Sequence, residues 1–367
     1  MTVIAEIGTA HGGSFEKARQ LIDAAADAGA DAVKFQWVYA DEILHPDTGL
    51  VALPGGKTRL YDRFRALEMP PAFFADCLAY AHRKGMQFAC SPFGLKSLAE
   101  LLEIRPDAVK IASPELNHEP LLRALADWRA ERPVPVILSS GVSTLADIER
   151  ALAILGTDGV TLLHCVTSYP APETDYNLTL VRNLARTFGV ATGVSDHSLG
   201  PVLVPALSAA MGATMVEKHI TLSKETDGLD DPVALDGEQF AHLCHCARQC
   251  AALLRRHGQE QGSRLIIAQM EDEFGRETVR AVLGDGVKRL APSERENYGR
   301  TNRSLHYRRA LKKGETVTAD DIGVLRTEKI LSPGISPAFL RTVTGATLTR
   351  DVQDGAGVQW EDFLTRA

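Results

Sequence analysis

Ser195-Asp196-His197 and Glu217-Lys218-His219 form the densest concentration of reactive side chains in the chain. Each triplet follows a short apolar run, at 190–194 and 214–216. Between them lies an Ala/Leu/Val-rich segment entered through Gly200-Pro201, a helix-start signal. A strand–helix–strand unit of this kind brings both polar tails to one edge of a parallel sheet, where α/β folds place their chemistry. Two imidazoles on neighbouring strands, His197 and His219, with carboxylates beside them, suit a divalent ion that keeps several waters. Mn²⁺ fits that description better than a closed zinc site does. Such an ion polarises a carbonyl oxygen or lowers the pKa of bound water. Two histidines that are merely hydrogen-bonded are the plainer alternative.

Lys34 and Lys110 end two further apolar runs, DAVKFQ (31–36) and DAVKIAS (107–113). An inward-pointing ammonium needs an anion, either a ligand or the chain's own Glu6 or Glu115. Ser113, Ser139, Ser140 and Ser195 supply hydroxyl donors along the same rim. With two lysines they resemble a phosphate or carboxylate cradle. Glu6, Glu217 and Asp230 are candidates for acid/base work or for binding sugar hydroxyls. The acids of DGLDDP (227–232) read equally well as solvent-exposed turn caps. No Walker-type or dinucleotide glycine motif is present, which sets ATP and NAD aside. HLCHCARQC (242–250) lies inside a helical pattern at 238–257. Cys244, His245 and Cys246 cannot all face one way on a helix, so these are structural thiols rather than zinc ligands.

The elements that must position these groups alternate regularly. Apolar runs at 3–8, 31–36, 86–91, 107–113, 133–141, 160–165, 190–194 and 214–216 are separated by helical patterns, the last at 238–257. Eight such units are the count of a (β/α)₈ barrel, and the polar residues fall at the carboxyl ends of its strands. A long insertion, 37–69, interrupts the series after the second run. Beyond residue 257 the pattern changes: 258–300 carries a helix-like piece at 265–283 and a charged connection. From 301 to 367, short segments broken by Gly, Pro and Asp predict a small β-rich module. The expected organisation is therefore a barrel over 1–257, a connection over 258–300 and a module over 301–367.

The 367 residues carry 45% hydrophobic and 24% charged side chains, as an ordinary globular protein does. A net charge of −7 gives no footing for nucleic acid, and no apolar run is long enough to span a bilayer. The first residues run directly into a strand pattern, so the expectation is a cytoplasmic enzyme.

Taken together, AEIGxxHxG (5–13), AVKFQ (32–36), CSPF (90–93), KIAS-x-E (110–115), SSG (139–141), HC-x-x-x-YP (164–170), SDH (195–197) and E-x-H (217–219) resemble the N-acetylneuraminate (sialic acid) synthase family. Asn302-Arg303-Ser304, KKGE and SPGIS are similar to that family's C-terminal antifreeze-like (SAF) domain. The resemblance implies condensation of phosphoenolpyruvate with an open-chain N-acylated hexosamine aldehyde. The products are a nine-carbon 2-keto sugar acid and phosphate. It implies that His197 and His219 hold Mn²⁺, with Mg²⁺ or Co²⁺ as substitutes. Lys34, Ser91, Lys110, Ser113, Ser139, Thr167 and Ser195 would hold phosphoenolpyruvate. Gln36, Phe93, Tyr169 and Asp230 would contact the sugar, with Glu6, Glu115 and Glu217 at the reacting centre. In the family an arginine of the partner subunit's SAF domain reaches the sugar, which implies a domain-swapped homodimer. Arg326 is the nearest match, in an altered Arg-Thr-Glu setting. Further departures are Ala10 in place of asparagine, the 40–61 loop with Leu53-Pro54-Gly55-Gly56, and a longer 258–300 connection. These lie on the acceptor side or outside the barrel, so N-acetylmannosamine competes with a diamino-hexose leading to a legionaminic- or pseudaminic-type acid. A metal-dependent aldolase without phosphoenolpyruvate is the rival on the same barrel; it leaves the two lysines without a purpose.

Overall fold

A computed structural model describes every residue except 54, 55, 227, 329 and 365–367, and the side chains of 51–53 and 56. The Pro54-Gly55 step of the acceptor-side loop and Asp227 therefore lie outside the described residues. In chain order the strands are β1 (Thr2–Gly8), β2 (Ala32–Trp37), β3 (Leu50–Leu53), β4 (Gly56–Arg59), β5 (Gln87–Pro92), β6 (Ala108–Ile111), β7 (Val136–Ser139), β8 (Val160–Cys165), β9 (Ala191–Asp196), β10 (Met215–His219), β11 (Arg303–Tyr307) and β12 (Ile322–Arg326). Eight of them close into a barrel in the order β1-β10-β9-β8-β7-β6-β5-β2, every pair parallel. The fold is the expected TIM barrel, followed by the small C-terminal module.

Local rules explain the ring of helices. In α1 (Phe15–Ala28), Ala18, Leu21, Ile22 and Ala25 fall on one buried face. Ser14 caps its start by accepting from the Lys17 N–H, and Gly29 ends it at φ 90°. After α2 (Ala40–Ile43), α3 (Leu60–Ala66), α4 (Pro71–Arg83), α5 (Leu95–Glu103), α6 (Glu119–Glu131), α7 (Leu145–Leu155) and α8 (Thr179–Phe188) comes α9 (Leu203–Ala210). Every residue of α9 is buried, which is why its sequence is apolar all round.

The insertion after β2 carries α2, the β3–β4 hairpin and α3, and Val38, Ile43, Leu44, Tyr61, Phe64 and Leu67 pack with Phe93 in an apolar cluster of their own. The helix expected at 238–257 is the first part of α10 (Gly237–Phe274): its backbone angles break at Gly258 (φ 75°, ψ 168°), and a second helical stretch follows to Phe274. The helix-like piece at 265–283 is divided at Gly275 between the end of α10 and α11 (Arg276–Leu283). Its apolar spacing continues through the glycine, which is why sequence alone joins the two. As expected, Cys244, Cys246 and Cys250 face the core while His242 and His245 are exposed, and all six cysteines are free.

In the module, β11 and β12 pair antiparallel, and α12 (Leu340–Val343) completes the element list. Leu305, Tyr307, Leu311, Val317, Leu348 and Val358 form part of a core separate from that of the barrel. Among the described residues no helix is long and apolar enough to cross a membrane.

Candidate active site

A cavity of about 360 Å³ opens at the carboxyl ends of the barrel strands. Parallel register builds its floor, because opposed residues share a layer. Glu6 on β1 sits between Lys34 on β2 and His219 on β10, and Glu217 on β10 lies opposite Ser195 on β9. Lys34 Nζ pairs with Glu6 at 2.8 Å and lies 3.8 Å from Glu217, and Gln36 Nε2 donates to Glu6 at 2.8 Å. Ser195 Oγ donates to Glu217 at 2.9 Å. Burial opposes the charge on Lys34, yet Glu217 and Glu6 hold its pKa above the usual lysine value. Burial likewise opposes charge on Glu217, and Lys110 and Lys34 overcome it, holding that carboxyl low.

Lys110 is placed differently. Its ammonium donates to Ser139 Oγ at 2.7 Å and to the Ile111 carbonyl at 3.2 Å. Among the described residues the one carboxylate within 4 Å is Glu217, at 3.9 Å. Burial pulls its pKa down, with Glu217 opposing. A buried ammonium whose hydrogen bonds all go to neutral groups is an anion site in waiting. Nearby, Ser113 Oγ accepts from the Gly141 N–H at 3.0 Å. A side chain at residue 141 would run into Thr167 Oγ1 and Ser113 Oγ, so glycine keeps that wall open.

Strand alternation splits the six-residue polar cluster read from the sequence. Ser195, His197, Glu217 and His219 face the cavity. Asp196 and Lys218 face away and form a buried ion pair at 2.6 Å, with Tyr176 donating to Asp196 at 2.8 Å. The His197 and His219 rings lie 5.8 Å apart, with Tyr169 stacked on His197 at 4.2 Å. His197 Nδ1 is 2.8 Å from the Val166 carbonyl, which orients the ring with Nε2 inward, 3.2 Å from the Tyr169 hydroxyl. A carbonyl behind the inner nitrogen is the usual support of a metal-binding imidazole. Burial lowers the pKa of His219 despite Asp230, so this ring stays neutral. At His197 burial acts in the same sense, but Cys165 and the Val166 carbonyl outweigh it and raise the pKa to about 9. Among the described residues no third His, Cys, Asp or Glu completes a protein ligand set. An ion held here would have the two imidazoles as its protein ligands, with water and substrate to complete its shell.

Of the residues singled out by sequence, Gln36, Phe93, Ser139, Thr167, Tyr169 and Asp230 also line the cavity. Asp230 Oδ2 lies 3.7 Å from His219 Nδ1. Ser91 is fully buried below it, 3.4 Å from Lys34 Nζ, and Ser140 turns away to donate to the Leu163 carbonyl. Glu115 does not line the cavity: it is buried behind the wall, its Oε1 shared by Arg303 at 2.8 Å and Arg326 at 2.9 Å. Among the described residues its Oε2 has no hydrogen-bond partner. Neither lysine pairs with it, because β2 and β6 aim their ammonium groups at Glu6 and Glu217. Arg326 reaches the cavity of its own barrel, where the resemblance places it in a partner's.

Sequence reasoning missed several residues of this wall. Cys165 lines the cavity 3.8 Å from His197 Nδ1; its place in HC-x-x-x-YP was the available signal. Phe64, Leu229, Asn297 and Thr301 arrive from the insertion, the loop after β10, the connection and the first residue of the module, and nothing in their local pattern marks them. Arg303 stood in the module's Asn-Arg-Ser motif, but its burial between two domains was not legible.

The closed (β/α)₈ barrel thus carries two buried lysines and a row of hydroxyls beside a histidine pair at its strand ends. The chain belongs to the NeuB family, whose profile matches residues 21–259, and residues 302–364 match the SAF domain. The spore coat polysaccharide biosynthesis protein SpsE of Bacillus subtilis is 32% identical, covering 99% of this chain and 94% of that protein. Its crystal structure superposes with a TM-score of 0.80 over 100% of this chain and 96% of that one, at 30% identity. An N,N'-diacetyllegionaminic acid synthase of Legionella pneumophila is 29% identical, covering 98% of this chain and 93% of that protein. A sialic acid synthetase structure from Leptospira borgpetersenii superposes with a TM-score of 0.61 over 80% of this chain and 89% of that one, at 29% identity. The protein is thus an enzyme of the NeuB synthase family.

Proposed function

We propose that the enzyme condenses phosphoenolpyruvate with an N-acylated amino-hexose aldehyde, N-acetylmannosamine in the first instance. The products are a sialic-acid-type nine-carbon 2-keto acid and inorganic phosphate. The observation that carries this reading is Lys110, buried with only neutral hydrogen-bond partners and flanked by Ser113, Ser139 and Ser195. Phosphate and carboxylate groups would bind between Lys110 and Lys34, held by those hydroxyls and by Thr167, with Ser91 supporting Lys34. Gln36, Phe93, Tyr169, Asp230 and Arg326 would face the sugar. His197 and His219 would hold a divalent ion, Mn²⁺ by preference, which when bound polarises the acceptor carbonyl.

In balance, C3 of phosphoenolpyruvate bonds to the aldehyde carbon, whose oxygen takes up a proton. Water adds at C2 and gives up a proton. The bond from C2 to the phosphate oxygen then breaks as the C2 hydroxyl passes its proton to the departing phosphate, leaving a ketone. Glu6 and Glu217, both within 4 Å of Lys34 Nζ, are the groups placed to relay those protons. Lys34 and Lys110 neutralise the phosphate from binding to departure, as preorganised electrostatics requires. Glu115 acts here as the counter-ion that positions Arg326.

The full-length similarity to a legionaminic acid synthase supports a second acceptor class, the diamino-hexoses. Its basis in this chain is the apolar wall of Phe64, Phe93 and Leu229. The reading divides the chain into barrel 1–257, connection 258–300 and module 301–367, in a cytoplasmic enzyme with neither nucleic acid nor membrane as partner. Phosphate release from phosphoenolpyruvate with Mn²⁺, across both acceptor classes, tests it. Release with one acceptor and loss on chelation are expected. Phosphoenolpyruvate that fails to bind at all would overturn the donor assignment.

A further inference from the structure

Two buried charges lie behind the histidine pair, outside the cavity wall, and the proposed reaction gives them no part. Lys218 Nζ pairs with Asp196 Oδ2 at 2.6 Å, donates to the Ser198 carbonyl at 2.7 Å and lies 3.2 Å from Ser198 Oγ. Asp196 Oδ1 accepts from the Tyr176 hydroxyl and from the Ser198 N–H, both at 2.8 Å. The Tyr176 hydroxyl in turn accepts from the His197 N–H at 2.6 Å. Tyr176 is fully buried, and its carbonyl lies against His164 Nε2 on β8. The network therefore reaches three strands, β8, β9 and β10.

Its place in the ladder gives it a role. The register of β9 and β10 pairs Val216 with Val194, Glu217 with Ser195 and Lys218 with Asp196, and the pairing ends there. His197 and His219 follow one residue beyond that last rung. The His197 N–H goes to Tyr176, and the His197 carbonyl accepts from the Ala171 N–H at 3.0 Å. His219 stays in register with Glu6 on β1, and its carbonyl accepts from the Leu235 N–H at 2.9 Å. The two imidazoles thus stand on backbones that have parted, and the Asp196–Lys218 pair joins those backbones at the rung beneath. Burying two charges is costly, and apolar side chains of similar volume often serve a core as well. Charges placed on this one rung, each next in sequence to an imidazole, fix geometry.

We infer that Asp196, Lys218 and Tyr176 are positioning residues: they fix the separation and tilt of the His197 and His219 rings, 5.8 Å apart, and thereby set the affinity of the pair for a divalent ion. His197 Nδ1 is held by the Val166 carbonyl, so a displaced His197 backbone turns the ring and carries Nε2 out of line with His219. The affinity part rests on the proposed metal; the bracing of the strand ends does not.

Tyr176→Phe and Lys218→Met each remove one group of the network and keep its shape; should the second not fold, the first carries the test. The first readout is Mn²⁺ affinity of the full chain, taken from the paramagnetic resonance signal of the free ion, without turnover. Both variants should bind about 10–100-fold more weakly than wild type, the usual loss when the outer support of a metal ligand is removed. Ile148→Ala removes a buried side chain of α7 outside the cavity wall, loses thermal stability for another reason, and should bind within about twofold of wild type. Wild-type affinity in the folded network variants, or an equal loss in Ile148→Ala, overturns the inference. The second readout is hydrogen exchange at the His197 amide of the metal-free protein. Tyr176→Phe should quicken it about tenfold over Ile148→Ala, and an equal rate in the two overturns the bracing. If wild type binds no Mn²⁺, the proposed metal falls and the affinity part with it, while the exchange rates still decide the bracing.

Discussion

The two ends of the cavity are built on different principles. The anion end, with Lys34, Lys110, Glu6, Glu217 and Ser195, stands on barrel strands, where each side chain is positioned by its neighbours' register. The other end, the acceptor side on the proposed reaction, is assembled from four separate segments: Phe64 from the insertion, Leu229 from the loop after β10, Asn297 from the connection, and Thr301 and Arg326 from the module. Rigid strands preserve a reaction, and loops and appended domains vary what is reacted. In this enzyme, donor chemistry is therefore expected to be resistant to changes at the rim, and acceptor choice sensitive to them.

The largest effect should come from the anion end. Lys110→Met is expected to lower kcat/KM by about 10³-fold, with phosphoenolpyruvate binding lost, because a preorganised charge is removed from a dry site. Steady-state kinetics with a parallel melting curve check this, and a change confined to the acceptor KM would contradict it. His219→Ala should lower turnover by about 10²-fold or more and escape rescue by added Mn²⁺, with an unchanged far-ultraviolet spectrum. Metal titration of wild type and variant gives the comparison.

At the junction, Arg303→Met strips Glu115 of one of its two arginines and removes a donor from four carbonyls. Breaking one side of a buried pair costs about 3–5 kcal/mol, so a lower melting temperature is expected. Proteolysis of the module should accelerate in parallel. Phe64→Ala should raise the acceptor KM by about fivefold, through lost apolar contact, and leave that of phosphoenolpyruvate within about twofold. Equal changes in both would erase the distinction between the two ends. The smallest effect belongs to Cys250→Ala, expected to keep its activity and metal content and to lose about 1 kcal/mol of stability. Zinc lost with it would revive the metal reading of 242–250.

Much of the anion end was legible because it depends on local pattern. Apolar runs ending in Lys34, Lys110, Ser139 or His197 announce strands whose polar tails meet at one rim, whatever the rest of the chain does. What escaped was the side on which a residue points. Asp196 and Lys218 share triplets with His197 and His219, yet the alternation of a strand sends them outward into an ion pair with each other. Glu115 carries the right side chain in the right motif, but two arginines hold it outside the cavity.

By itself the sequence determined the barrel, its closing count of eight units, the buried cysteines of α10 and the cast of charged groups at the strand ends. Each follows from periodicity and from the cost of burying charge, which act over a few residues. Only the tertiary structure decided that Arg303 and Arg326 share one carboxylate more than 180 positions away. It also decided that Asn297 and Thr301 line the cavity. Contacts at that separation depend on where the chain turns and on which groups are left in need of partners, and no local pattern encodes either.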